Sequence, residues 1–572
     1  MKPITRVLLS SLLIGCLLAP GAIAAQDNPD WYGVWWRGGK EAKAMKERCP
    51  WIKGVFIGMH WAKLEPRPGE FDWKYFESEM TRYADAGLYI QFMIWTGGHA
   101  PRWLYDHGVP EVETTPTINP NGVPHGWTYP HYMDPDYQRF YWRMIREVAA
   151  HLDKLPKHVR DRIICLQTAE GTTGDEGPYK GRPLNPAYEF SEEEWDKFKF
   201  ETWRLFDELY RPKSPRIFLL INSGNQGQYH DWLMEHIPDT WRKAGNPGHG
   251  YQLNEETKMM AILDPIINQP GKDGLFIRCR SEMDERHKGW FAEAPVWNQY
   301  WLNLWGLHFG LDIFQHETDA FQDPRDYEGY VIYDRYGGRK VPAESPGAFC
   351  ALRDGLDAAD TTRFPTATFG PGKLNPGAKD QTEGIQRTLA IVKKFAAYGA
   401  RQGDPDMAMQ IIMKNRSASA MNDVGWDIWP GNYERYLTQI DPLETSLGWW
   451  RVGDQGQPYG RFARSTERAA GRDTLYFDLN DQLGDSLTGG VLIRIVYFDE
   501  GNGDWSLLYD GKVQPTQTAL VVRKTNTGRW LEKTVQIDDA RFKNGGPRNA
   551  DLLLRSLGPD DTKFHLVEVR RQ

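Results

Sequence analysis

The sequence predicts a (β/α)8 TIM barrel followed by an antiparallel β-sandwich domain. Three observations carry this. From about residue 30 to residue 320, short apolar runs alternate with stretches of helical length, the pattern of a parallel α/β sheet. There are eight such runs, the number that closes a barrel. After about Pro430 the helical stretches stop, and short alternating strands follow with turns between them. The expected organisation is a signal peptide over 1–25, a barrel over 26–429 and a carbohydrate-binding-like sandwich over 430–572.

The N-terminus reads as a targeting segment. Lys2 and Arg6 precede an apolar run from Val7 to Leu18, and Ala22-Ile-Ala24 fits a small-residue cleavage site. An exported protein, periplasmic or extracellular, is expected, cut near Ala25. Leu13-Ile-Gly-Cys16 is also similar to a lipoprotein box, so lipidation at Cys16 is the alternative. No later stretch is long and apolar enough to span a membrane.

The first strand is Trp31 to Trp36, and a helix follows from Glu41 to Glu47. Lys53 to Trp61 is the second strand. It enters a Pro/Gly loop, and the next helix runs from Tyr75 to Ala86. Leu88 to Trp95 is strand three, and Thr96 to Pro135 is a long loop, which in a compact domain is usually functional. Asp136 to Leu152 is helical. Ile163 to Leu166 is a short run with no helical period, as a strand buried on both faces should be. Glu192 to Tyr210 is a helix, Arg216 to Asn222 strand five, and Tyr229 to Ile237 a further helix. Gly248 to Asn254 is taken as strand six. Strand seven carries Glu282, Val296 to Phe309 is helical, and Leu311 to Glu317 is strand eight; Gly384 to Tyr398 supplies a late helix.

Composition limits the function. The net charge of −8 argues against a general nucleic-acid binder. No Cys or His cluster has zinc-ligand spacing and there is no EF-hand loop, so no metal or other cofactor is expected. Aromatics are abundant, with 24 Trp, 26 Tyr and 24 Phe, and flat rings stack on sugars as well as filling cores.

Acids cluster where strands four and seven become loops: Glu170, Asp175 and Glu176 after the first, Glu282 after the second. In a barrel that junction is the catalytic face, and two acids on different strand ends are the equipment of a glycosidase. Arg278, Arg280 and Glu282 alternate along one strand face. His60, His99, Asn222, Tyr251, Gln252, Arg280 and His316 are candidates to bind sugar hydroxyls. Trp61, Trp95 and Trp127 are stacking candidates, with Trp36, Trp290 and Trp297. Arg286, His287 and Lys288 follow Glu282 and would suit an anionic sugar.

Trp61, Leu64-Glu65-Pro66, Gly69 and Phe71 form a pattern that resembles the early barrel of the clan A glycoside hydrolases, particularly family 42 and family 35 β-galactosidases. The resemblance covers roughly residues 30 to 420. It implies an acid/base after strand four, at Glu170, and a nucleophile after strand seven, at Glu282. Ala169 stands where the clan usually carries Asn. The Gly171 to Glu176 loop is also similar to the acid-bearing loop of β-amylases, which keeps Asp175 and Glu176 open as the acid. With its sandwich, the chain resembles marine agar- and carrageenan-degrading enzymes.

The expectation is a secreted retaining glycosidase cleaving a β-linked polysaccharide or oligosaccharide, such as a neutral or sulfated galactan. An inverting enzyme using Asp175 or Glu176, and a non-catalytic glycan binder, are the competing readings.

Overall fold

The computed structural model describes residues 29–118, 124–125, 128–172, 174, 177–225, 227–244, 263–271, 274–283, 295–354, 356–357, 361–362, 364–371, 386–387, 390, 424–425, 431–449, 452–454, 456–460 and 462–572. Eight parallel strands close a barrel: β1 (Gly33–Trp36), β2 (Ile52–His60), β3 (Tyr89–Trp95), β4 (Ile163–Gln167), β5 (Phe218–Ile221), β6 (Trp241–Lys243), β7 (Cys279–Met283) and β8 (Ile313–His316). Each strand pairs with its neighbours in sequence, and β8 closes on β1 through Gly33 opposite Ile313.

Strand six differs from the sequence expectation. It is Trp241–Lys243, and residues 248–254 lie outside the described residues. A three-residue strand with two basic side chains gives little apolar signal; it forms because β5 and β7 both pair with it. The expected helix over 384–398 also falls largely outside the described residues. The segment after β3 carries local structure, with short antiparallel pairs Glu111–Glu113 with Thr128–Pro130 and Thr117–Ile118 with Pro124–His125.

The helices around the barrel follow their sequence signals. α1 (Ala42–Arg48) precedes β2, and α2 (Trp73–Asp85) starts where the Asp72 side chain accepts from Tyr75 N. α3 (Pro135–Leu152) is capped by Asp134 and has Pro at its first position. α4 (Glu192–Tyr210) opens with a capping box between Ser191 and Glu194. α5 (Gly227–His236), α6 (Pro295–His308) and α7 (Tyr327–Tyr336) follow among the described residues. α6 is buried along its whole length from Val296 to Leu307, its Asn298, Gln299 and Asn303 included.

The barrel interior is layered. Trp35, Leu220, Trp241 and Ile313 fill its lower part. Gly54 allows this, because a Cβ there would meet the Trp35 indole at 2.5 Å. Above them the chain places one polar residue per strand: Gln91 on β3, Gln167 on β4, Arg280 on β7 and Gln315 on β8, all buried.

The sandwich consists of two antiparallel sheets around one apolar core that includes Phe477, Ile495, Trp505, Leu554 and Val567. One sheet contains Val491–Asp499 paired with Lys563–Arg571, and the other contains Thr474–Leu479 paired with Leu552–Leu557. The first sheet also takes Gly347–Ala351, which pairs antiparallel with Lys563–Arg571. Barrel helices α6 and α7 pack against this sheet. The Tyr300 hydroxyl lies 2.8 Å from His565 Nε2, and Glu568 binds Arg335 and accepts from the Tyr336 hydroxyl at 2.9 Å.

Candidate active site

Glu282 stands at the C-terminal end of β7, one register step above Arg280 on the inner face. Its carboxylate is 3.0 Å from Lys243 Nζ and 2.8 Å from Arg280 Nη1, and its side chain keeps 16% of its exposure. Burial alone would raise this carboxyl. Arg280, Lys243 and Arg37 outweigh the burial and hold it well below the usual carboxylate range. Glu282 is therefore ionised at any ordinary pH.

Arg280 is fixed from below. It also donates to Gln315 Oε1 and, at 3.0 Å, to Gln167 Oε1. The Gln91 carboxamide donates to the same Gln167 oxygen at 3.0 Å. The polar layer thus ties β3, β4, β7 and β8 together directly beneath the carboxylate, and a buried charge with several hydrogen-bond partners holds one geometry. At the mouth, Arg37 follows β1 and donates to Glu317 at 3.0 Å.

The end of β4 is built differently. The Ala169 carbonyl accepts from Thr96 Oγ1 at 2.8 Å and from the Tyr141 hydroxyl at 3.0 Å. Glu170, the next residue, has no exposure. Burial drives the phenols of Tyr137 and Tyr141 on α3 far above their ordinary value, and the charge of Glu170 adds to it. Glu170 therefore sits against α3, enclosed under the rim, while Glu282 opens to the barrel mouth.

The other candidates divide into three groups. Asn222, at the end of β5, accepts weakly from Gln167 Nε2 at 3.3 Å. His60 and His99 stack at 4.0 Å between ring centroids, with Trp95 edge-on to His99 at 5.8 Å, so β2 and β3 present an aromatic corner. Burial lowers both imidazoles, assisted by Lys63 at His60 and by His60 at His99.

Four candidates are corrected by their burial. Trp61 is not a sugar platform. The chain turns into the helical segment Trp61–Leu64 after His60, and the indole packs against Trp103, Tyr137 and Tyr141 and donates to Glu65 at 2.9 Å. His316 faces out of the barrel, because strand alternation points Gln315 inward. Its ring is buried against Phe314, Phe321 and Tyr330, and burial pushes it down to about 3. Trp36 and Trp297 are likewise buried, the latter donating to the Gln457 carbonyl. Arg278 leaves the expected strand face: it pairs with Asp312 at 2.7 Å at the N-terminal end of the barrel and stacks over Tyr32.

Asp175, Glu176, Trp127, Tyr251, Gln252, Trp290 and the run Arg286 to Lys288 lie outside the described residues.

Sequence reasoning did not single out Lys243, Arg37, Gln91, Gln167 or Gln315. Two of the glutamines carried a signal: Gln91 and Gln167 are each the one polar residue of an otherwise apolar strand, at the inward parity.

Residues 36–164 match the family model described as beta-galactosidase, glycoside hydrolase family 42. The match covers the first half of the barrel, less than a quarter of the chain, and is a distant similarity to that family. No curated protein matches the sequence. Solved structures similar to this chain include the beta-galactosidase of the psychrophilic Marinomonas ef1, at 12% identity over 53% of this chain and 58% of that one, with a TM-score of 0.33. The beta-galactosidase of Bacillus circulans sp. alkalophilus shares 12% identity over 55% of this chain and 57% of that one, with a TM-score of 0.37. Xylanase 10B of Thermotoga maritima shares 10% identity over 50% of this chain and 83% of that one, with a TM-score of 0.31. The chain thus spans a little over half the length of the two beta-galactosidases. Likeness at this level adds nothing to the chemistry.

Proposed function

We propose that this chain is an exported glycoside hydrolase that cleaves β-glycosidic bonds in a polysaccharide, with a galactan as first candidate, by the retaining two-carboxylate route. The observation that carries the reading is Glu282, a strand-seven carboxylate held ionised by Lys243 and Arg280 at the open face of a (β/α)8 barrel.

In this reading Glu282 attacks the anomeric carbon through an oxocarbenium-like transition state, and the glycosyl-enzyme ester is released by water. Leaving-group protonation falls to Glu170, which then serves as base for the water. Glu170 is buried beside Tyr137 and Tyr141. It must swing toward the mouth when substrate binds. His60, His99 and Trp95 form the wall that a sugar ring would meet. The support for galactan is the family-model match and the early-barrel pattern from Trp61 to Phe71. The charged start and apolar run at the N-terminus support export.

The full burial of Glu170 favours one second reading: an inverting enzyme in which Asp175 or Glu176, further along the same loop, is the acid.

Reducing-end release from neutral and sulfated galactans, xylan and β-glucan, with wild type beside Glu282→Gln, tests the assignment. Release by wild type alone supports it. Release undiminished in Glu282→Gln refutes the role of Glu282, and binding without release by wild type refutes the hydrolase. NMR of the first-formed anomer separates retention from inversion.

A further inference from the structure

We propose that the cleft between the N-terminal end of the barrel and the sandwich is a second saccharide site, remote from Glu282, that holds a neutral stretch of oligosaccharide. The cleft encloses about 770 Å³, within the range of roughly 300–1,000 Å³ typical of small-molecule sites. The barrel contributes Asn268, Gln269 and Phe276 to its lining, and the sandwich contributes Arg435, Tyr436 and Gln482. It belongs to the end of the barrel where Arg278 meets Asp312, opposite the mouth that carries Glu282.

The charge of the lining selects the ligand. Lys340 shares Asp312 with Arg278, at 3.0 and 2.7 Å, and donates to the Ile267 and Ile277 carbonyls. The lining therefore sets Lys340 and Arg435 against Asp264 and Asp481. Without a positive excess the cleft does not favour sulfate, phosphate or a uronate. Its exposed carboxamides, Gln269 and Gln482, offer both donors and acceptors, the combination that matches sugar hydroxyls. Phe276 and Tyr436 add an aromatic from each side.

Tyr436 carries the second observation. Its φ is 60°, a left-handed conformation in which a bulky side chain is an outlier. The residue is the corner between Tyr433–Arg435 in one sheet and Leu437–Ile440 in the other. Glycine or asparagine would turn that corner with less strain. Tyrosine is held there by its hydroxyl, which donates to the Arg339 carbonyl at 2.6 Å, and by the Arg435 guanidinium 4.7 Å over its ring. A strained residue held in place from several sides, on the wall of a cleft, is a mark of function.

The test is hydrogen exchange on the full chain carrying Glu282→Gln, with β-1,4-galactotriose, cellotriose and xylotriose as probes. Galactotriose is included because of the function proposed above; the other two make the outcome independent of it. One of the three is expected to slow exchange in peptides covering 264–270 and 480–484. Tyr436→Asn and the double change Gln269→Ala with Gln482→Ala should each weaken that protection by about fivefold, the loss of one or two hydrogen bonds or a ring contact. With Glu282 intact, the same variants should leave hydrolysis of an aryl β-galactoside unchanged. Absence of protection by all three saccharides overturns the proposal, as does protection that survives both variants. Should Tyr436→Asn fold poorly, the glutamine pair, being exposed, still decides. Cleft protection in a protein that hydrolyses no glycoside would leave this site standing and refute the hydrolase instead.

Discussion

Replacing Lys243 with methionine tests the electrostatics on which the active-site reading depends. Lys243 Nζ lies 3.0 Å from Glu282 Oε1. At an effective dielectric of about 20, two unit charges at that distance attract by 332/(20 × 3.0), or about 5.5 kcal/mol. Most of that gross figure is offset, because both groups lost hydration and Arg280 remains beside the carboxylate in the variant. A net loss of about 2 kcal/mol corresponds to an upward move of about 1.5 pH units in the Glu282 carboxyl. The sign follows from the structure. Lys243 favours the charged form, so its removal makes protonation easier and the Glu282 carboxyl titrates at higher pH. Methionine keeps the stem volume but not the charge, so by linkage the same loss of about 2 kcal/mol should appear in urea unfolding at pH 7. The assay is a direct titration of the Glu282 carboxyl, followed by its infrared band or by the carbon NMR shift of labelled glutamate, in variant and wild type. A carboxyl titration that stays within about 0.3 units of wild type would refute the coupling, since 0.3 units is only about 0.4 kcal/mol.

Glu282→Gln should reduce hydrolysis by roughly 10,000-fold or more while circular dichroism stays unchanged, as expected when a nucleophile is removed. Tyr141→Phe deletes the hydroxyl that donates to the Ala169 carbonyl; it should cost about 1 kcal/mol in urea unfolding and lower kcat through a less well-placed Glu170. Glu568→Leu removes the carboxylate paired with Arg335, while Arg494 keeps Glu328 and Glu532, and should destabilise by about 3 kcal/mol, read as a lower Tm. His308, His316 and His565 are buried, and burial holds them down to about 4, 3 and 3. The unfolded chain binds these three protons below about pH 6.5 and the folded chain does not, so stability falls as the pH drops from about 6.5 toward 4, by up to about 4 kcal/mol per pH unit near pH 5. A urea midpoint equal at pH 7 and pH 5 would contradict this.

The barrel frame was legible because apolar runs such as Ile163 to Leu166 and Leu88 to Trp95 are long enough to register against the loops around them. Strand six was not, because its pairing is imposed by β5 and β7 and owes little to its own residues. Glu282 and Arg280 were readable from alternation along one strand. Lys243 was not, since its meaning depends on a contact between strands. Trp61 and His316 show the limit of arguing from a strand end alone. One residue of register, or a turn into a helix, exchanges the mouth of the barrel for its packed exterior. Glu170 shows it again: its position was legible, and its enclosure under Thr96 and Tyr141 was not.

The long-buried helix α6 has a consequence for how this protein can be taken apart. Trp297 donates to Gln457 across the junction, Trp301 to Gly460, and Tyr300 meets His565. The strand Gly347–Ala351, from upstream of residue 430, completes a sheet whose other members come from downstream. A cut at 430 would strip the sheet of a strand and leave three large aromatics facing water. The two halves are therefore one cooperative unit. Engineering that treats the C-terminal region as an exchangeable appendage, swapped between enzymes to change where they bind, would lose the catalyst with it.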